Sequence, residues 1–222
     1  MFVGHYAAAY ALKAKQPKAS LAVLFIAVQF VDILFFPFVL FGFEELKFVT
    51  NFTEVNNFQM DYYPFTHGLI SSLVWAIFAY VLFLFVLAKG KKVALIVALA
   101  ILSHWFIDVI VHTADLPLLS GNPKFGFGLW HNKNAAFIVE IALLVFGYLW
   151  YIKNTQAVKA GINYANWLFI LFLIVVNYLN FYVLPASEDI NQLTTSALVS
   201  FFLLAGFAFF VDRTRKPLND LS

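Results

Sequence analysis

Two histidines and an aspartate recur at spacings of four within an apolar stretch of this chain. His104, Asp108 and His112 stand one turn apart, so they share one side of a helix. Imidazole and carboxylate groups are common ligands of zinc and similar divalent ions. Each ionisable side chain is costly at membrane depth, so a helix in lipid seldom carries three on one face without a use for them. The segment predicts a functional centre, with metal binding as its simplest chemistry.

The composition indicates an integral membrane protein. Of the 222 residues, 63% are hydrophobic and 12% are charged, and the charged share is about half that of an average soluble domain. The chain has no cysteine, so nitrogen and oxygen atoms must hold any metal. The net charge of +2 is small. No feature of the sequence indicates nucleic-acid binding.

Six apolar runs approach the ~20 residues that cross a bilayer as a helix. They cover residues 20–41, 68–88, 93–111, 134–152, 167–184 and 192–211. Lysine and arginine cluster in alternate connections, and the positive-inside rule makes that side and the C-terminus cytoplasmic. We predict an all-α, multi-pass membrane protein. It forms one domain, in which residues 1–152 carry the metal site and residues 153–222 form two scaffold helices.

The first twelve residues are too short to cross, since a helix of that length covers ~18 Å. They form either a re-entrant helix or an amphipathic helix on the membrane surface, and the two placements put His5 at different depths. Charge follows this apolar stretch instead of preceding it, which is unlike a signal peptide, so we expect the segment to be retained.

Axial positions show which polar residues can meet. At 1.5 Å per residue, Asp32 lies ~18 Å from the basic boundary, His104 ~16 Å and Asp108 ~22 Å. His67 precedes a span that starts at the opposite face, and a re-entrant first helix would bring His5 ~12 Å from the basic boundary. The set therefore clusters between mid-membrane and the outer surface.

Other ionisable residues leave alternatives open. His112 lies ~12 Å along the helix axis from His104, whereas zinc ligands lie only ~2 Å from the metal. His112 therefore serves a second ion, orients the ligands of the first, acts as an acid or base, or is simply interfacial. Glu140 lies within the fourth run and needs a partner. His131 is either a ligand or an interfacial residue.

The order of these residues resembles a family. The chain contains Gly4-His5, Gln29-Phe30-Val31-Asp32, Tyr63-Pro64-Phe65-Thr66-His67 and Ser103-His104-Trp105-Phe106-Ile107-Asp108. Over residues 1–152 it resembles bacterial membrane-bound metal-dependent hydrolases, the YdjM-like proteins, which are distantly similar to zinc-dependent phospholipase C and single-strand nucleases. The resemblance implies a protein of the bacterial inner (plasma) membrane. The resemblance implies that the metal ligands are His5, Asp32, His67, His104 and Asp108.

The resemblance also sets the expected number of ions. The soluble enzymes bind a zinc cluster, for which Asp108 is placed to bridge two ions. They also use a processed N-terminal amine, which an uncleaved start does not supply, and a further His-x-x-x-Asp/Glu pair. After His131 this chain has Ala135 at that spacing. We therefore expect one or two divalent ions, with zinc the favoured metal.

The favoured function is hydrolysis of a phosphoester or lipid-like substrate, with membrane lipids as surroundings. In this hypothesis Asp32 or Asp108 holds the attacking water, and His112 or Glu140 moves its proton. A second hypothesis is proton or ion translocation through Asp32, Asp108 and Glu140. A third is a non-catalytic membrane subunit with a structural metal. The sequence identifies no protein partner.

Overall fold

The protein is mostly helical. A computed structural model describes residues 1–159 and 164–218, and helices make up 64% of the chain. The α-helices of the described residues are Tyr6–Lys15 (α1), Leu21–Val28 (α2), Phe30–Leu40 (α3), Leu69–Val81 (α4), Lys91–Val111 (α5), Lys133–Lys153 (α6), Tyr164–Tyr178 (α7) and Ile190–Asp212 (α8). The predicted helical architecture is confirmed.

Several of these helices can cross a membrane. With their π-helical extensions, α4 covers Leu69–Val86 and α7 covers Tyr164–Val183. Among the described residues, five helices are long and apolar enough to span, and α2 with α3 makes a sixth if that bent pair is one span. This agrees with a multi-pass membrane protein. The orientation stays a prediction, and the last residues, 219–222, lie outside the described part.

The predicted run 20–41 is one bent element. The α2 and α3 axes meet at 48° around Gln29. The Gln29 side chain is buried there, and its Nε2 donates to the carbonyl oxygen of Phe2 at 3.0 Å. The bend places Asp32 in the first turn of α3, where the helix dipole favours a negative charge.

The N-terminal helix lies inside the bundle. It packs against α2, α5 and α6, and the side chains of Tyr6 and Tyr10 are fully buried. Gly147 on α6 allows this close approach, because a Cβ there would lie only 2.4 Å from the Ala7 carbonyl oxygen. The first twelve residues therefore lie inside the bundle and not on its surface, and their re-entrant placement in a membrane stays a prediction.

Three short antiparallel strand pairs accompany the helices in the described residues and were absent from the all-α prediction. Strands Glu45–Phe48 (β1) and Phe58–Tyr62 (β2) pair, as do Leu116–Pro117 (β3) and Lys124–Phe125 (β4). Both pairs belong to connections at one end of the bundle, which we call the hairpin end. Thr155–Ala157 (β5) pairs with Arg215–Pro217 (β6) at the other end, the basic end. These strand pairs give hydrogen-bond partners to the backbone N–H and C=O groups of the segments that connect the helices.

Candidate metal centre and cavity

The Asp108 carboxylate lies at the middle of a buried cluster. Its Oδ1 is 3.1 Å from His5 Nε2 and 2.6 Å from the Met1 nitrogen. Its Oδ2 is 2.9 Å from His104 Nε2 and 3.6 Å from His112 Nε2. The two oxygens therefore face two different sets of nitrogen atoms, which is the arrangement that a bridging carboxylate needs.

Asp32 supplies a second carboxylate to the cluster. Its Oδ1 lies 3.2 Å from His67 Nε2 and 3.7 Å from His104 Nε2. The predicted ligands thus come together from α3, α5, the turn before α1 and the loop before α4. Two overlapping groups could each hold a metal ion, with their ligand atoms within 4.8 Å of one another. They are His5, His104 and Asp108, and Asp32, His67 and His104.

His104 provides the most direct test of whether a metal fits. Its Nδ1 lies 2.7 Å from the Val28 carbonyl oxygen, so Nδ1 carries the proton and Nε2 presents a lone pair. This Nε2 makes no hydrogen bond with the described residues, although it is buried and lies 2.9 Å from Asp108 Oδ2. A buried imidazole nitrogen that faces the carboxylates of both Asp108 and Asp32 fits zinc or a similar divalent ion.

The first five residues make several contacts with the buried carboxylates of Asp108 and Glu140. The Met1 nitrogen lies 2.6 Å from Asp108 Oδ1, and whether a processed amine belongs to the site stays untested. Glu140 Oε2 accepts hydrogen bonds from the Phe2 and Gly4 backbone amides at 3.2 and 3.3 Å. The partner that Glu140 needs is therefore this turn, which carries His5. Its predicted role in proton transfer stays a prediction.

His112 approaches the cluster despite its axial distance from His104. Helix α5 ends at Val111, and His112 has extended backbone angles that turn its ring back toward Asp108. His112 Nδ1 lies 3.0 Å from Asp115 Oδ1, and the Trp130 ring centroid lies 4.3 Å from that of His112. Sequence reasoning missed Asp115, although its position three residues after His112 was a usable signal.

Glu44 is a second residue that sequence reasoning missed. Its buried carboxylate accepts from the Phe65 and Thr66 amides at 2.8 and 3.0 Å and from Thr66 Oγ1 at 2.7 Å. Burial raises the pKa of Glu44, and these hydrogen bonds act against that shift. Because Thr66 Oγ1 donates to Glu44, it accepts from His67 Nδ1 at 3.0 Å. His67 Nε2 then keeps its lone pair on the side of Asp32.

A cavity of about 400 Å³ borders the cluster. Asp32, His67 and His112 form part of its wall, and the opposite wall comes from α7, its extension and α8. The last two helices, predicted as scaffold, therefore also enclose this space. His131 is exposed and belongs to neither group of potential ligands found in residues 1–159 and 164–218.

Helices α7 and α8 touch near the basic end and separate toward the hairpin end. Near the basic end the Phe172 and Phe207 ring centroids lie 5.7 Å apart, and Asn166 Nδ2 donates to Thr214 Oγ1 at 2.6 Å. Nearer the hairpin end the cavity lies between them. Large apolar side chains are exposed along both helices. The cavity is thus flanked by surfaces suited to contact with lipid.

Comparison with known proteins adds no assignment. The chain matches no family model, no curated protein and no solved structure. The cluster and the cavity are therefore the features of this chain that indicate its function.

Proposed function

We propose that the protein is a membrane-embedded, metal-dependent hydrolase that cleaves a phosphoester in an amphiphilic, lipid-like substrate. One observation carries the proposal: four imidazoles and two carboxylates converge beside a cavity large enough for a small molecule. A structural ion needs ligands but no adjoining cavity, whereas hydrolysis needs both.

The chain offers ligands for one or two divalent ions, with zinc the favoured metal. His5, His104 and Asp108 form one set of ligands, and Asp32 and His67 extend it. A bound ion of this kind lowers the pKa of a water molecule and polarises a phosphoryl oxygen. The burial of these side chains keeps bulk water away from the reacting atoms.

His112 is the best-placed residue for proton transfer. Asp115 holds its Nδ1, which leaves Nε2 on the side of Asp108 and the cavity. The water oxygen forms a bond to phosphorus while the bond from phosphorus to the leaving oxygen breaks. His112 Nε2 accepts the proton from water and returns it to the leaving oxygen. An imidazole oriented by a carboxylate is suited to both steps.

The proposed amphiphile is supported by where the cavity lies. It is enclosed by two helices whose outer surfaces expose residues such as Leu171, Val175 and Leu203. A lipid-like molecule could therefore reach the cluster from within the bilayer. The separation of α7 and α8 toward the hairpin end gives it a route.

Elemental analysis combined with a phospholipid hydrolysis assay tests the proposal. Wild-type protein purified in detergent is compared with His104→Ala, and Asp61→Asn is the control because its exposed carboxylate pairs with Lys47, outside both groups of potential ligands. We expect bound metal and turnover in the wild type and the control, and loss of both in His104→Ala. Turnover in His104→Ala, or a wild type that takes up no divalent ion, would overturn the proposal. Metal without turnover would favour a structural ion.

Proton translocation is a second candidate because of a group of buried tyrosines. Their hydroxyls have no hydrogen-bond partner among the described residues, and they are those of Tyr6, Tyr10, Tyr148 and Tyr151. Tyr6 follows His5, and the Tyr10 ring centroid lies 5.5 Å from those of Tyr148 and Tyr151. These groups extend polar atoms from the cluster toward the basic end.

Proteoliposomes with a pH-sensitive dye inside test this second candidate. A translocator would move protons without added metal, and Tyr10→Phe would reduce that flux. Leu12→Ala, in the same helix, is the matched control. Absence of flux in the wild type would exclude proton translocation, and equal flux in Tyr10→Phe would exclude the tyrosines as its path.

A further inference from the structure

One wall of the cavity carries polar, uncharged side chains between apolar ones. Gln192, Ser196 and Ser200 follow one another at spacings of four along α8, and all three line the cavity. They cover ~12 Å of the helix at 1.5 Å per residue. Gln192 and Ser196 are exposed and Ser200 is partly buried, so a molecule in the cavity can reach these amide and hydroxyl groups.

Further amides lie on other sides of the same cavity. Asn180 comes from the extension of α7, and Asn56 comes from the loop between β1 and β2. Asn56 is buried, and its Oδ1 has no hydrogen-bond partner among the residues that the structure describes. A buried amide oxygen without a donor is unfavourable, and a ligand hydroxyl would satisfy it.

The charges of the cavity wall restrict the ligand further. No lysine or arginine side chain lines it in the described ranges 1–159 and 164–218. Its charged side chains include Asp32, which belongs to the cluster, and Glu140, which accepts two backbone amides. An anionic group away from the metal ligands would therefore meet no basic side chain. Phe181 and Phe201 add aromatic surface, against which the carbon atoms of a ligand can pack.

We propose that this cavity binds the uncharged, hydroxyl-bearing headgroup of an amphiphile, such as a glycerol or a sugar, whose phosphate lies at the metal cluster. The position of the phosphate rests on the proposed function, whereas binding of the headgroup does not require turnover. A volume of about 400 Å³ is near the lower end of the range for small-molecule sites. It suits a headgroup, while the acyl chains remain in the bilayer.

A binding competition tests the headgroup class independently of hydrolysis. Detergent-purified protein receives an equimolar mixture of phospholipids with identical acyl chains and glycerol, choline, serine or no substituent on the phosphate. Retained lipid is measured by native mass spectrometry. We expect the glycerol lipid to be enriched about fivefold, the effect of one neutral hydrogen bond. Ser196→Ala and Gln192→Leu should each reduce the enrichment, whereas Thr195→Ala, a neighbour outside this cavity, should preserve it.

The outcomes separate this inference from the proposed function. Selective retention of the glycerol lipid without hydrolysis supports the headgroup site and counts against the hydrolase. Hydrolysis without headgroup preference supports the hydrolase and overturns the headgroup site. The site is also overturned if no lipid is retained, if choline or serine lipids are preferred, or if Ser196→Ala and Gln192→Leu leave the preference unchanged.

Discussion

The two ends of the helical bundle both bury charged groups, but these groups make different contacts at each end. At the basic end, Lys13 Nζ lies 2.7 Å from Asp212 Oδ1 and donates to the carbonyl oxygens of Pro17 and Ala19, each at 2.8 Å. Arg215 donates to the Thr155 hydroxyl and to backbone oxygens nearby. These cations lie beside their acceptors, and the contacts tie α1 to α8 and β5 to β6.

Toward the hairpin end a single buried carboxylate meets several nitrogen atoms at once, since Asp108 lies beside Met1, His5 and His104. Imidazole nitrogens and carboxylate oxygens of several elements face one another there, in two groups that could each hold a metal ion. A cavity adjoins this cluster. Burial of charge is therefore a poor marker of function by itself. Convergence of several potential ligands beside a cavity is the better marker.

The largest difference between the ends should follow from removing one carboxylate charge at each. Asp108→Asn removes the proposed bridging group, and we expect complete loss of metal and of hydrolysis. Asp212→Asn weakens the contact with Lys13 but leaves every potential ligand in place, so the folded protein should keep its full metal content. Elemental analysis of both purified variants checks this. Equal metal content in the two would contradict the functional contrast between the ends.

Removing a charge at the basic end should lower the thermal stability of the protein. In Lys13→Met the Asp212 carboxylate loses its buried partner, and breaking such a pair costs about 3–5 kcal/mol. We expect a lower midpoint of thermal unfolding in detergent but unchanged metal per folded protein. Lys15→Met is the matched control, because Lys15 is exposed in the same helix. Loss of metal in folded Lys13→Met would show that the basic end also supports the cluster.

The helical period and the bilayer thickness explain what the sequence predicts well. They fix the axial position of every residue in a span, so the common depth of Asp32, His104 and Asp108 follows from counting. The structure brings these three residues together with His5 and His67. Whether they bind metal stays a prediction.

The features that the sequence did not predict depend on contacts between segments far apart in the chain. The bend at Gln29 is stabilised by an oxygen of Phe2, and Glu44 reaches the backbone of Thr66 across the hairpin β1–β2. A position in an irregular loop does not follow from periodicity. The cavity has the same origin, because it depends on where α7 and α8 diverge, and composition alone indicates only two apolar spans.

The approach of α1 to α6 allows a test of how the N-terminal segment is positioned. Gly147→Ala places a Cβ against the backbone of Ala7, whereas Gly206→Ala on α8 meets open space. Overpacking of this kind costs about 1–3 kcal/mol. We expect Gly147→Ala to displace α1, which carries His5 at its start, and to weaken metal binding. A chelator competition should show no such change for Gly206→Ala, and equal affinities would mean that α1 adjusts without moving His5.

The smallest expected effect concerns the orientation of a single imidazole. Glu44→Gln keeps the size of the side chain, but its terminal amide can no longer accept through both oxygens from the Phe65 and Thr66 amides and from Thr66 Oγ1. Thr66 Oγ1 then holds His67 Nδ1 less firmly, and partners of this kind change metal affinity by about tenfold or more. We expect Glu44→Gln to lose metal at a chelator concentration about ten times lower than the wild type, with normal stoichiometry at saturation. Glu45→Gln, the exposed neighbour on β1, should match the wild type. If Glu44→Gln also matches the wild type, the hairpin end positions His67 through its backbone alone, and its buried polar contacts are as purely structural as those of the basic end.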